Sequence, residues 1–102
     1  MQLKDRVSRR LKLHELRVLM AVAETGSMRK AAMVLNTTQP SVSRAIAELE
    51  GILGLPLFER GARGVEPTLY GRALLDGSVE MFDDLRQTVQ KIEFLANPEV
   101  GD

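Results

Sequence analysis

Leu35-Asn36-Thr37-Thr38-Gln39-Pro40-Ser41-Val42-Ser43-Arg44-Ala45-Ile46, followed by Leu49 and Leu53, is the stretch on which the fold turns. Val42, Ile46, Leu49 and Leu53 recur at i, i+4, i+7 and i+11, one apolar stripe of a helix that Gly54 stops. Its start follows from atoms. With Thr37 as N-cap the N3 position would be Pro40, which has no N–H to donate. With Thr38 as cap the hydroxyl accepts from Ser41, and Pro40 falls in the first turn, where a missing N–H costs nothing. At about 100° per residue, Pro40, Arg44, Ala47 and Gly51 lie opposite the stripe, with Ser43 on the flank and Gln39 at the open start. The outward face is therefore small, polar and basic.

Upstream, Leu16, Leu19, Met20 and Ala23 form the i, i+3, i+4, i+7 stripe of a first helix over 13–25, ended by Gly26. Ser27 caps a short second helix through Leu35, whose Ala31, Ala32 and Leu35 face inward, and Asn36 takes the left-handed turn position. Two short helices joined through Asn36-Thr37 have the helix-turn-helix outline. Downstream, Leu57-Phe58-Glu59-Arg60 and Val65-Glu66-Pro67 flank Gly61-Ala62-Arg63-Gly64, which predicts a small hairpin with Pro67 on an edge strand. From the cap Thr68 no proline interrupts the chain before Pro98, so one long helix is expected. Its Leu74, Ser78, Met81, Leu85, Thr88, Ile92 and Leu95 alternate steps of four and three, widened by Leu75, Phe82, Val89 and Ala96. That pattern predicts a helix-packing seam. Gly71 and Gly77 weaken the start of this helix by about 1 kcal/mol each relative to Ala, unless another backbone approaches closely there.

The chain of 102 residues balances 14 basic against 14 acidic side chains, but unevenly. Residues 1–64 hold eleven basic and six acidic groups, a net of +5, and residues 65–102 hold three basic and eight acidic, a net of −5. Twelve leading residues alone carry +4 and read as a mobile or loosely helical arm. Such a split predicts one part facing a polyanion and another turned away from it, although a charged surface in water gives the same count. Aromatics at 4% argue against a stacking RNA-binding sheet, and the lack of cysteine removes disulfides, thiolate metal sites and a Cys nucleophile. The longest apolar run, Val18 to Ala23, is far short of the ~20 residues of a membrane span.

Chemistry-bearing patterns are few. His14 is the only histidine and has no second ligand beside it, and Asp83-Asp84 points two ways from a helix surface, so neither a metal, a cofactor nor an enzyme activity is expected. Gln39, Ser43 and Arg44 are side chains that pair with base edges or phosphate, and small neighbours permit close approach to a major groove. Any surface helix also turns polar residues outward, so this face alone leaves a protein-interaction module open. Arg60 and Arg63 at the hairpin tip suit a sugar-phosphate backbone or a minor groove.

The residues quoted above, with Leu16-Arg17-Val18-Leu19-Met20-Ala21-Val22-Ala23-Glu24-Thr25-Gly26-Ser27-Met28, Ala31-Ala32, Leu49-Glu50 and Leu53-Gly54-Leu55-Pro56-Leu57-Phe58-Glu59-Arg60, resemble the N-terminal DNA-binding domain of LysR-type transcriptional regulators. The resemblance spans roughly residues 13–96. It implies a mainly α fold: a basic arm at 1–12, a winged helix-turn-helix at 13–67 with a three-helix core and a β-hairpin wing, a linker and dimerisation helix at 68–96, and a linker stub at 97–102. By the same resemblance, double-stranded DNA would be met by Thr38, Gln39, Pro40, Ser43 and Arg44 of the third helix, by wing residues Arg60 and Arg63, and by Ser27, Met28 and Arg29. A homodimer would form through Leu74, Ser78, Met81, Phe82, Leu85, Val89, Ile92 and Leu95. It further implies a bacterial, cytoplasmic regulator whose full-length chain continues into a domain sensing a small-molecule effector, with tetramers possible. The chain departs from the family pattern at Glu66-Pro67-Thr68-Leu69-Tyr70-Gly71 and in its twelve-residue lead.

Overall fold

A computed structural model describes residues 2–97; the expected linker stub at 98–102 lies outside them. The element order is α1 (Leu3–Arg10), α2 (Leu13–Thr25), α3 (Met28–Val34), α4 (Gln39–Leu53), β1 (Phe58–Gly61), β2 (Gly64–Pro67) and α5 (Leu69–Ala96). The three expected core helices are α2, α3 and α4. Each stops or starts where its capping chemistry dictates. The Ser27 hydroxyl accepts from the Lys30 N–H at 3.1 Å, and the Thr38 hydroxyl accepts from the Ser41 N–H at 3.3 Å. Gly26 and Gly54 close α2 and α4 in the left-handed conformation. Asn36, at φ 56°, is the only non-glycine there among the described residues, and it reverses the chain so that the Thr37 N–H donates to the Ala32 carbonyl at 2.9 Å.

The core is aliphatic: Leu16, Val18, Leu19 and Val22 of α2, Ala31 and Ala32 of α3, Val42, Ile46 and Leu49 of α4, and Leu57 just before the hairpin. Ala31 and Ala32 leave only methyl groups between helices, so α3 sits close on α2 and α4 and the orientation of α4 is fixed by backbone-level packing. Glu15 is buried at the start of α2, where its carboxylate accepts from the Lys12 N–H at 3.0 Å and so offsets the cost of its burial.

The hairpin pairs Phe58 with Pro67 and Gly61 with Gly64, antiparallel, and the unusual approach to the long helix leaves it intact. Two carbonyls anchor it. Gly26 accepts from the Val65 N–H at 3.1 Å, and a Cβ on Gly64 would collide with that same carbonyl. Leu57 accepts from the Thr68 N–H at 2.9 Å, and its carbonyl fills the space a side chain at position 71 would need. Close backbone approach thus accounts for Gly71. It does not account for Gly77, around which nothing lies within 4 Å.

One expectation is narrowed and one requires correction. Of the mobile or loosely helical forms expected for the leading residues, the helical one is present: α1 is a two-turn helix packed against α4, with Arg6 and Val7 half-buried and Leu11 packed on the core. The seam of α5, by contrast, is not wholly free. Ser78 is only 2% exposed, its hydroxyl donating to the Leu74 carbonyl at 2.7 Å, while Leu74 and Phe82 pack on the chain's own core and Arg17 of α2 lies over the Phe82 ring at 5.3 Å. Heptad spacing marks an apolar face without saying what covers it, and the near half is covered from within the chain. The far half runs on past the domain, which gives a radius of gyration of 16.0 Å, well above the roughly 13 Å of a compact chain of this length.

Candidate nucleic-acid interface

Packing turns the first half of α4 outward. Val42, Ala45, Ile46 and Leu49 are buried, so Gln39, Pro40, Ser43, Arg44 and Ala47 are left exposed on the other side, with Thr38 exposed at the cap. A Cβ on Gly51 would meet nothing within 4 Å, so this face is low as well as polar. Arg44 stands on it without a carboxylate partner, since the one ion pair among the described residues is Arg86 to Asp83 on α5. Pro40 at the start of α4 removes one N–H, the Thr38 hydroxyl takes the Ser41 N–H, and the N–H of Gln39 remains at the positive end of the helix dipole.

The structure brings the other sequence-derived residues into two further groups. Arg60 and Arg63 are exposed on the hairpin, and Arg29 is exposed at the start of α3. Met28 and Ser27 are half-buried, and Met28 packs its side chain against the core. Ala47 and Gly51, which the helical spacing from Val42 already put on this face, are exposed on it in line with Arg44.

Beyond Phe82, the α5 seam is bare: Leu85 is 44% exposed, Val89 46%, Ile92 58% and Leu95 76%, with Met81 at their edge. A mainly apolar groove of about 480 Å³ runs between α2, the end of α3 and this part of α5, lined by Met20, Val34, Leu35, Phe82, Leu85 and Val89. None of the described helices is long and apolar enough to cross a membrane.

A three-helix core with an exposed, capped third helix, a two-stranded hairpin after it and a long helix leading away defines a winged helix-turn-helix protein. The chain belongs to the LysR family of bacterial regulatory helix-turn-helix proteins, whose model matches residues 13–72. It is 41% identical over 76 residues to YdcI of Escherichia coli K12, an uncharacterised HTH-type transcriptional regulator, covering 74% of this chain and 25% of that one. It is 38% identical over 79 residues to the small neutral protease regulatory protein of Streptomyces coelicolor, covering 78% and 25%. The chain therefore spans about a quarter of the length of these curated relatives. Among solved structures, BenM_DBD in its complex with benA site 1 DNA superposes with a TM-score of 0.81 at 36% identity, over 85% of this chain and 98% of that one. CbnR_DBD in its DNA complex superposes with a TM-score of 0.79 at 32% identity, over 85% and 100%.

Proposed function

We propose that this chain is the sequence-specific DNA-binding module of a LysR-type transcription regulator, acting as a dimer on operator DNA. The observation that carries the reading is the exposed first half of α4, where Arg44 stands unpaired among Gln39, Ser43 and small residues. In a major groove, Arg44 donates two hydrogen bonds to guanine O6 and N7, Gln39 pairs with adenine, and Ser43 meets a base edge or phosphate. Thr38 and Pro40 set the start of the helix against the groove wall. Arg60 and Arg63 reach the backbone or the adjacent minor groove, and Ser27, Met28 and Arg29 hold a phosphate at the start of α3.

A second copy covers the bare part of α5. Met81, Leu85, Val89, Ile92 and Leu95 form a continuous apolar edge beside the groove between α2 and α5, and their burial against the same face of a partner removes it from water. Pairing through α5 sets two recognition helices on one DNA duplex. In the full-length protein, a small-molecule effector acts through a further domain, tetramers are open to the assembly, and the cytoplasm is the compartment.

Selection of bound sites from random DNA, followed by titration of the selected duplex, tests this directly. Arg44→Ala should lower affinity by about 1–3 kcal/mol and relax preference at one base position in each half-site. Unchanged affinity and preference would remove Arg44 from recognition. A winged fold serving protein contacts alone would show no affinity that rises as salt falls.

A further inference from the structure

We propose that α1 is a second phosphate-binding element, seated beside the recognition helix on the side away from the wing, and that it supplies a large share of the domain's electrostatic attraction for DNA. The proposal rests on the DNA-binding reading above. Its first support is charge. Residues 1–12 hold five basic groups and one acidic, a net of +4, whereas residues 13–64 hold six basic and five acidic, a net of only +1. The winged domain without α1 is thus almost neutral, and one of its six cations, Arg17, is engaged over Phe82 on the α5 side. Attraction to a polyanion scales with the cations that displace its counterions, and α1 with the adjoining Lys12 supplies five of the eleven basic groups of residues 1–64 within a short stretch.

Position is the second support. At about 100° per residue, Ile52 and Glu50 lie about 80° to either side of Val42 on α4. Glu50 faces the wing, its carboxylate accepting from the N–H of Leu57, the residue before β1, at 2.8 Å. Ile52, on the other flank, is 1% exposed although it stands outside the continuous core cluster, and α1 is the further element that packs against α4. An apolar flank of the recognition helix thereby seats α1. The charged groups are left outward: Lys4, Arg9 and Arg10 are exposed with no ion pair among the described residues. Arg6 is held by packing, its Nε buried without a hydrogen-bond acceptor. Because α5 packs on α2 and β2 while α1 packs on α4, the acidic and basic segments have different supports, and the basic one shares its support with the recognition face. Wing and α1 then grip phosphates on the two sides of the groove that α4 enters.

The test is a salt series of binding titrations with the 102-residue chain, using the selected duplex and a random-sequence duplex. Arg9→Gln/Arg10→Gln keeps helix-compatible side chains at exposed positions, and circular dichroism with urea unfolding verifies the fold. The slope of log affinity against log salt should fall by about two, and affinity at 0.1 M salt should drop on the order of tenfold to a hundredfold on both duplexes, with base preference unchanged. An unchanged slope in a parent that binds DNA overturns the proposal alone. An unchanged slope with a weakened dimer in sedimentation also overturns it, placing α1 on the acidic α5 of a second copy. A parent with no salt-dependent binding overturns the DNA-binding reading itself.

Discussion

The two halves of α5 carry the same heptad spacing and meet opposite fates. In the near half, Gly71 and Ser78 are buried, and Leu74, Leu75 and Phe82 press on the core of their own chain. In the far half, Leu85, Val89, Ile92 and Leu95 repeat the pattern and stay exposed. In the proposed dimer, one helix serves two structures at once. Its near half is a piece of the domain, docked on α2 and β2 and pinned by the Leu57 carbonyl, and so it fixes the direction in which the far half leaves. A partner bound to the far half is thereby held at a set angle to the recognition face, which is what a reader of spaced half-sites needs.

The largest expected effect separates the halves by destroying only the second. Val89→Asp/Ile92→Asp places two carboxylates on the bare seam. The two aliphatic side chains are each worth about 1.5–3 kcal/mol when buried, so the dimer dissociation constant should rise at least about a hundredfold. Sedimentation equilibrium reads this, and circular dichroism should show the domain still folded, because both residues are exposed in the single chain. A variant that remains dimeric would move the interface elsewhere. Next in size, Gly71→Ala attacks only the near half. The added Cβ meets the Leu57 carbonyl, which also caps the hairpin exit, so relief requires the helix to shift off the domain. Such overpacking costs about 1–3 kcal/mol, partly offset by the helix preference of alanine; a lowered urea midpoint in the monomeric Val89→Asp/Ile92→Asp background is the expected readout.

Local chemistry explains why α4, its cap and its exposed polar face are legible in the sequence. Thr38, Pro40, the four-residue apolar stripe and Gly54 each act within one or two turns, so no knowledge of the rest of the chain is needed. The hairpin and the extent of α5 follow equally from Gly61, Gly64, Pro67, Thr68 and the absence of proline up to Pro98. What was not legible depends on contacts between distant segments. The basic composition of residues 1–12 masks the spacing of Leu3, Val7 and Leu11, four residues apart, and the element that α1 packs against is α4, far along the chain. Likewise nothing in the heptads distinguishes Ser78, whose hydroxyl is satisfied by the Leu74 carbonyl inside its own helix, from a polar residue in a seam between chains.

Gly77 offers the finest test of where one half ends. It lies one turn before Met81, at the edge of the seam, and a Cβ there would meet nothing within 4 Å in the single chain. A glycine inside a helix costs about 1 kcal/mol relative to alanine, so Gly77→Ala in the monomeric background should raise stability by about that amount in urea unfolding. In the dimer the outcome depends on the partner's path. If its helix passes over the exposed seam without crossing position 77, the same gain appears in both backgrounds and the far half begins after Met81. If the gain is present in the monomer and lost in the dimer, a partner backbone lies close to Gly77, and the boundary between the self-covered and partner-covered halves moves back by a turn. No gain in the monomer would mean that the helix around position 77 already meets a constraint beyond its own backbone.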